Sequence, residues 1–272
     1  MKRSRFPLVV TALVLAFFYL PILILVVNSF NSARFSSRWQ GFSLIWYARL
    51  FESPEVWQAL RNTLVIAVSV TAVSVVLGTA AAFALHRYAA SRLQRVHYTL
   101  IYTPLVVPEI LMGISLLMFF VAAGVPLGLF TIFLAHVTFC VSYVAMTVLG
   151  RLQDFDFSVI EAAQDLGASP WQSARKFLIP MLMPGIVAGA LLAFTLSVDD
   201  FVITFFVAGP GSTTLPLRIY SMIKYGAPPM INALSTLLLA VTLTAVLLSQ
   251  RLVNRRKDAP EYREADLYTA SD

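Results

Sequence analysis

The sequence predicts an all-α protein built from six membrane-spanning helices, and three observations carry that expectation. The 272-residue chain is 58% hydrophobic and only 12% charged, with a mean hydropathy of +0.78, against about 45–50% apolar and about 25% charged in a soluble domain. Too few polar residues remain to cover a folded surface, so the apolar excess must face something other than water, and a bilayer accepts it. The apolar residues also gather into six runs, 6–27, 64–85, 98–122, 127–149, 181–207 and 231–250, each near the ~20 residues a spanning helix needs. Finally, the basic residues lie between these runs, which explains the net charge of +6 without invoking nucleic acid. A single cysteine, Cys140, excludes a disulfide framework, and His86, His97 and His136 stand in no ligand spacing, so no metal site is expected.

Taken in order, the first run follows Lys2, Arg3 and Arg5 and resembles a signal peptide at its start. It is too long, and no small-residue cleavage site follows, so it is read as an uncleaved span. Fourteen lysines and arginines fall at the N-terminus, in the second and fourth connections and in the tail, against six on the opposite side. That asymmetry predicts that both termini are cytoplasmic. The outer connection 28–63 is rich in aromatics (Trp39, Phe42, Trp46, Tyr47, Phe51, Trp57), which suits helices lying in the interface, and Ser53-Pro54 reads as a helix start. Pro104 and Pro108 should interrupt the third span, since each removes an amide donor. His136 and Cys140, one turn apart in the fourth span, read as packing residues. Pro210-Gly211 and Pro228-Pro229 break the 210–230 connection, and the tail 258–272 is polar and mixed in charge.

The fourth connection, 151–180, predicts a compact helix pair. Ser158-Val159-Ile160-Glu161 has capping-box spacing, and Gly167 is placed to end the helix. Ser169-Pro170-Trp171-Gln172 repeats the start signal with proline at the first helical position. Two short helices are expected, near 159–166 and 170–178, with Pro180 closing the second before the fifth span.

These residues carry a resemblance. Glu161-Ala162-Ala163, three residues, Gly167, nine residues and then FLIP ending at Pro180 is similar to the EAA loop of ABC importer permeases, with Phe177 and Ile179 as conservative replacements. The opening PILILVVNSFNS, the WQGFSLIWY stretch and TLSVDDFVITFFVAGPGSTTLPLRIYSM resemble the spermidine/putrescine-type permeases over nearly the whole chain. The resemblance implies a type I importer permease domain over residues 1–257. Its 151–180 loop would dock on a separate ATPase through Glu161, Ala162, Ala163 and Gly167. The chain has no GxxxxGK[ST] phosphate loop, so ATP and Mg would belong to two partner ATPase subunits and no cofactor to this chain. A second permease (a paralogue or another copy), a periplasmic substrate-binding protein and the bacterial inner membrane complete the expected setting.

Three carboxylates lie within the spans: Glu109, Asp199 and Asp200. A carboxylate at the middle of a span costs roughly 2.5–3.5 kcal/mol on insertion scales, which marks it as a functional candidate. No base lies in the spans to pair with them, and a path with acids and no bases favours a cationic cargo. At about 100° per residue, Gly185, Gly189, Ala193, Asp199 and Asp200 fall on a small and acidic face with bulky residues opposite, so both aspartates should point into protein if the helix runs unbroken to residue 200. Counting ~1.5 Å per residue puts Asp199 about 27 Å up the fifth span and Glu109 about 17 Å into the third, as an outer and a middle station. Glu109 also fits a helix first turn, where the dipole favours a carboxylate, and Asp200 also fits a hydrogen-bonding role. Tyr220 offers a ring face to an ammonium group. The expected function is polyamine import by alternating access in an ATP-driven importer, the chain itself being no enzyme. Another cationic or small organic cargo on the same machine, or an ion-coupled secondary transporter using Glu109 and Asp199, are the alternatives.

Overall fold

The computed structural model describes residues 6–34, 38–87, 92–226 and 229–257. Lys2, Arg3 and Arg5, Pro228 and the 258–272 tail lie outside the described residues. Among the described residues the structure is helical, with one isolated bridge between Asn31 and Phe42 and no strand. The helices are α1 (Phe6–Ser29), α2 (Ile45–Glu52), α3 (Pro54–Arg87), α4 (Arg92–Val106), α5 (Glu109–Ala122), α6 (Leu129–Gln153), α7 (Ser158–Asp165), α8 (Pro170–Ser173), α9 (Ile179–Asp199), α10 (Val202–Val207), α11 (Leu215–Lys224) and α12 (Met230–Lys257). A π turn, Ala174–Leu178, joins α8 to α9.

The chain forms two compact units, Met1–Ser53 with Met222–Asp272, and Pro54–Ser221. In the first, α12 packs against α1 and α2, and the aromatic-rich segment after α1 folds around Asn31. The Asn31 side chain accepts from the Ala33 and Gln40 amides, and its carbonyl accepts the Trp46 indole N–H at 2.8 Å. In the second unit α3, α6 and α9 pack together around Val70, Ile132, Val144, Val148 and Leu182. Glycine permits the approach: a Cβ on Gly78 would lie 2.7 Å from Val144 Cβ, and one on Gly189 would lie 3.3 Å from Val144 Cγ1. The small face expected on α9 is the buried one, through Gly185, Gly189, Ala193 and Ser197.

Among the described residues, four helices are long and apolar enough to cross a membrane: Phe6–Ser29, Pro54–Arg87, Leu129–Gln153 and the run Pro170–Asp199. The third predicted span is not one helix but α4 and α5, meeting at 111° across Val107 and Pro108. Counted as one span it makes five, and α12 is apolar over Met230–Thr244. Pro108 makes the break, whereas Pro104 is carried inside α4. The fifth predicted span stops at Asp199, because Asp200 takes an extended backbone (φ −61°, ψ 122°) and its carboxylate serves the amides of α10 instead.

Pro180 does not close a helix. The chain runs on from α8 through the π turn into α9, with the Ile179 amide bonded to the carbonyl five residues back at Ala174. That wider turn accommodates a ring that would collide with the carbonyl four residues back in a regular α-helix.

An acidic cavity and a capped helix pair

At the α4–α5 bend, α6 and the end of α9 enclose a cavity of about 510 Å³, and all three predicted carboxylates, Glu109, Asp199 and Asp200, line it. Among the described residues no lysine or arginine does. The two-station expectation counted depth along a continuous third helix; the 111° bend removes that premise and brings Glu109 to the same cavity as the aspartates. Glu109 opens α5, following Pro108, in the first turn where the helix dipole favours a carboxylate. Tyr220 is not in the lining. It packs on Phe201, which is, with ring centroids 4.7 Å apart.

The two aspartates differ in their surroundings. Asp199 does not point into protein as the helical face predicted but is exposed, because the helix ends there, and among the described residues neither it nor Glu109 forms an ion pair or a hydrogen bond to another side chain. The Asp200 side chain is 6% exposed and sits 3.1 Å from His136 Nε2. Its Oδ2 also accepts from the Thr204 hydroxyl at 2.6 Å and the Thr204 amide at 2.8 Å, and Oδ1 accepts from the Ile203 amide at 3.4 Å. A carboxylate only accepts, and the Thr204 hydroxyl spends its hydrogen on Asp200, so Nε2 carries the proton and donates to Asp200 and to Thr204 Oγ1. The other ring nitrogen meets Ser197 Oγ at 2.8 Å. His136 is therefore no packing residue but the hub of a buried polar network. Cys140, one turn along α6, is buried as expected and points its thiol at the Ala193 carbonyl, 3.6 Å away.

The 158–178 helix pair is built largely as its sequence asks. Ser169 and Gln172 form the reciprocal capping box, Gln172 N to Ser169 Oγ at 3.3 Å and Ser169 N to Gln172 Oε1 at 3.0 Å. Gly167 ends α7 in the left-handed region (φ +89°), with the Ala168 amide returning to the Ala163 carbonyl. The Ser158–Glu161 box does not form. Asp156 caps α7 instead, accepting the Ser158 amide at 3.0 Å, a shorter reach for a carboxylate two residues upstream. Bonds from the Ser158 hydroxyl and amide hold the Asp156 carboxyl below the usual carboxylate range. Glu161 and Ala162 are exposed, while Ala163 is buried and packs inward.

Sequence reasoning passed over four residues. Tyr143 of α6 lines the cavity, yet carries no marker beyond its place in an apolar run. His136 carries no local sign of its role, since its partners lie more than sixty residues away. Leu166 and Trp171, 90% and 70% exposed, flank Gly167 and Ser169 as bare apolar tips of the helix pair. An apolar side chain at each side of a predicted turn was the available signal.

Residues 74–258 match the family described as the binding-protein-dependent transport system inner membrane component. The chain is 43% identical over 244 residues to the spermidine/putrescine transport system permease protein PotC of Escherichia coli (strain K12), covering 89% of this chain and 91% of that one. It is 43% identical over 243 residues to the putrescine transport system permease protein PotI of the same organism, covering 87% and 86%. Its fold is similar to that of a chain of a bacterial ABC transporter involved in the import of the acidic polysaccharide alginate, with a TM-score of 0.71, 17% identity, and coverage of 92% of this chain and 98% of that one. The chain belongs to the family of binding-protein-dependent transport system inner membrane components: it is a multi-pass membrane transport subunit and not an enzyme.

Proposed function

We propose that this chain is the permease subunit of an ATP-driven importer that carries polyamines such as spermidine and putrescine across the bacterial inner membrane by alternating access. The carrying observation is the acid-lined cavity, with no lysine or arginine in its lining among the described residues, joined to 43% identity with polyamine permeases over most of the chain. Glu109 and Asp199 are the carboxylates with oxygens to offer, and the Phe201–Tyr220 pair supplies ring faces beside them. In this reading the six spans are α1, α3, the bent α4–α5 pair, α6, the Pro170–Asp199 run and α12, with both termini cytoplasmic. The partners are a second permease, two ATPase subunits holding ATP and Mg, and a periplasmic binding protein. The helix pair at 158–178 lies in the cytoplasm and docks on an ATPase through Glu161, Ala162, Gly167, Leu166 and Trp171, with Ala163 stiffening the pair from within.

The test is uptake of radiolabelled spermidine by the assembled complex in proteoliposomes, varying ATP and the proton gradient separately. Uptake that needs ATP and survives collapse of the gradient is expected. Uptake that follows the gradient alone would overturn the reading in favour of an ion-coupled transporter. For orientation, a Ser271→Cys variant should resist an impermeant thiol reagent in intact cells and react once they are permeabilised; labelling of intact cells would reverse the topology.

A further inference from the structure

Asp199 and Asp200 are neighbours that line one cavity, but their oxygens are differently engaged. We propose that they divide the work: Asp200, gripped by His136, is a positioning residue that fixes the α9–α10 break, and the carboxylates a cationic cargo meets are Asp199 and Glu109. The cargo half of this division rests on the polyamine reading above; the structural half stands without it.

Asp200 Oδ2 already takes three donors, from His136 Nε2, the Thr204 hydroxyl and the Thr204 amide. An ammonium group could win that oxygen only by displacing one of them. That would leave His136, 1% exposed, or Thr204, fully buried, without its partner. Asp199 faces no such competition.

The grip also reaches both free carboxylates. It fixes the residue after Asp199 directly. Glu109 is reached through α10, which is fastened to α6 at both ends, by His136 at its start and by Thr131 Oγ1 donating to the Val207 carbonyl at 2.8 Å at its end. So held, α10 rests on α5 at Gly113, where a Cβ would lie 2.6 Å from the Phe206 ring and 3.4 Å from Ile203 Cα. Glu109 stands one turn before Gly113 on the same helix. One buried network thereby sets the places of the two carboxylates that remain free.

Two measurements test this on the complete complex: KM and Vmax for radiolabelled spermidine uptake, and the rate at which N-ethylmaleimide alkylates Cys140 without cargo, read by mass on this chain. Cys140 is fully buried one turn from His136, so it reports whether the α6–α9 packing beside the network has opened. Asp199→Asn should raise KM about 5- to 30-fold, the factor for a lost charge contact of modest net strength. Asp200→Asn should hold KM within about threefold of wild type and leave Cys140 slow, because the amide oxygen can take the place of Oδ2 and keep its donors. His136→Ala and Asp200→Ala should speed Cys140 alkylation at least tenfold on the order of a lost buried bond, and lower Vmax while raising KM. If either alanine variant fails to assemble, the contrast between the two asparagine variants still decides. The division is wrong if Asp200→Asn raises KM as far as Asp199→Asn does, or if both alanine variants assemble and leave Cys140 as slow as wild type. Should wild type not take up spermidine at all, the cargo reading falls, and the alkylation rates still judge the grip.

Discussion

At its Ile179 end α9 is entered through a π turn with no side-chain cap, whereas beyond Asp199 it gives way to an extended residue whose carboxylate is bonded to His136 and Thr204. Both are interruptions of one helix, yet they differ in what fastens them. The π turn exchanges one backbone register for another and holds no buried polar group in place, so it can flex at little cost. The break at Asp200 is fastened by a satisfied network whose other members, His136, Ser197 and Thr204, are buried, and disturbing it leaves donors and acceptors unpaired. On the docking proposal, a displacement of the helix pair would enter α9 through a compliant joint and arrive at a stiff one.

The largest expected effect breaks the compliant side. Leu166 is 90% exposed and touches little of its own chain, so Leu166→Asp should leave the melting of the isolated subunit within about 0.5 kcal/mol of wild type. On the docking proposal the same change should strip the ATPase subunit from the purified complex. A variant complex that retains its ATPase through size-exclusion chromatography would place the contact elsewhere.

On the stiff side, Gly113→Ala forces a methyl group toward the Phe206 ring. Overpacking of this kind costs about 1–3 kcal/mol, to be read as a lowered midpoint in thermal unfolding in detergent. An unchanged midpoint would mean that α10 is free to shift, and the contrast between the two ends would lose its basis.

Smaller effects sharpen the picture around the helix pair. Ser169→Ala removes the side-chain half of the capping box, worth about 1 kcal/mol. Amide exchange should quicken in residues 170–178 and stay unchanged around the cavity. Spread of the effect to residues 199–204 would show the π turn to be stiffer than described. The least effect concerns Asp156, whose carboxyl is held low by Ser158. Its contribution to α7 is present above the ordinary value of 3.8 and is lost as pH falls through the lower value in the folded chain. Limited proteolysis within 156–166 should accelerate in wild type only in that acidic window, and Asp156→Asn should be insensitive to it.

Much of this architecture was legible because the responsible residues are local. The interruption at Pro108, the turn at Gly167 and the Ser169–Gln172 box each depend on one residue or on partners three apart, and the chain forms them as its sequence asks. Other features depend on choices between partners that a linear reading cannot rank. Asp156 outcompetes Ser158 and Glu161 for the start of α7. Nothing in Ser197-Val198-Asp199-Asp200-Phe201 is a helix breaker; the break forms because Asp200 finds His136 sixty-four residues away and caps α10 in the same act. All three acids were candidates in the sequence and all three line one cavity, but that Asp200 is engaged while Asp199 and Glu109 are not became visible only when α6 was laid against α9. Pro180 misled for the opposite reason: its local rule is sound, and the wider turn before it removes the clash on which the rule depends.

The 34 residues of α3 make a rod of about 51 Å, where a hydrocarbon core is only about 30 Å thick. Its uncharged, mainly apolar part runs through residues 64–85, and before it stand Glu55, Gln58, Arg61, Asn62 and Thr63. That overhang is a mooring post for the segment after α10: Asn62 Nδ2 donates to the Gly211 and Thr213 carbonyls, Thr63 Oγ1 accepts the Leu215 amide, and Glu55 meets Arg218 at 3.4 Å. The moorings are fixed to the rod rather than to the lipid. A bilayer that thins or thickens by a few ångströms moves its waterline along the rod and leaves those bonds at the same spacing.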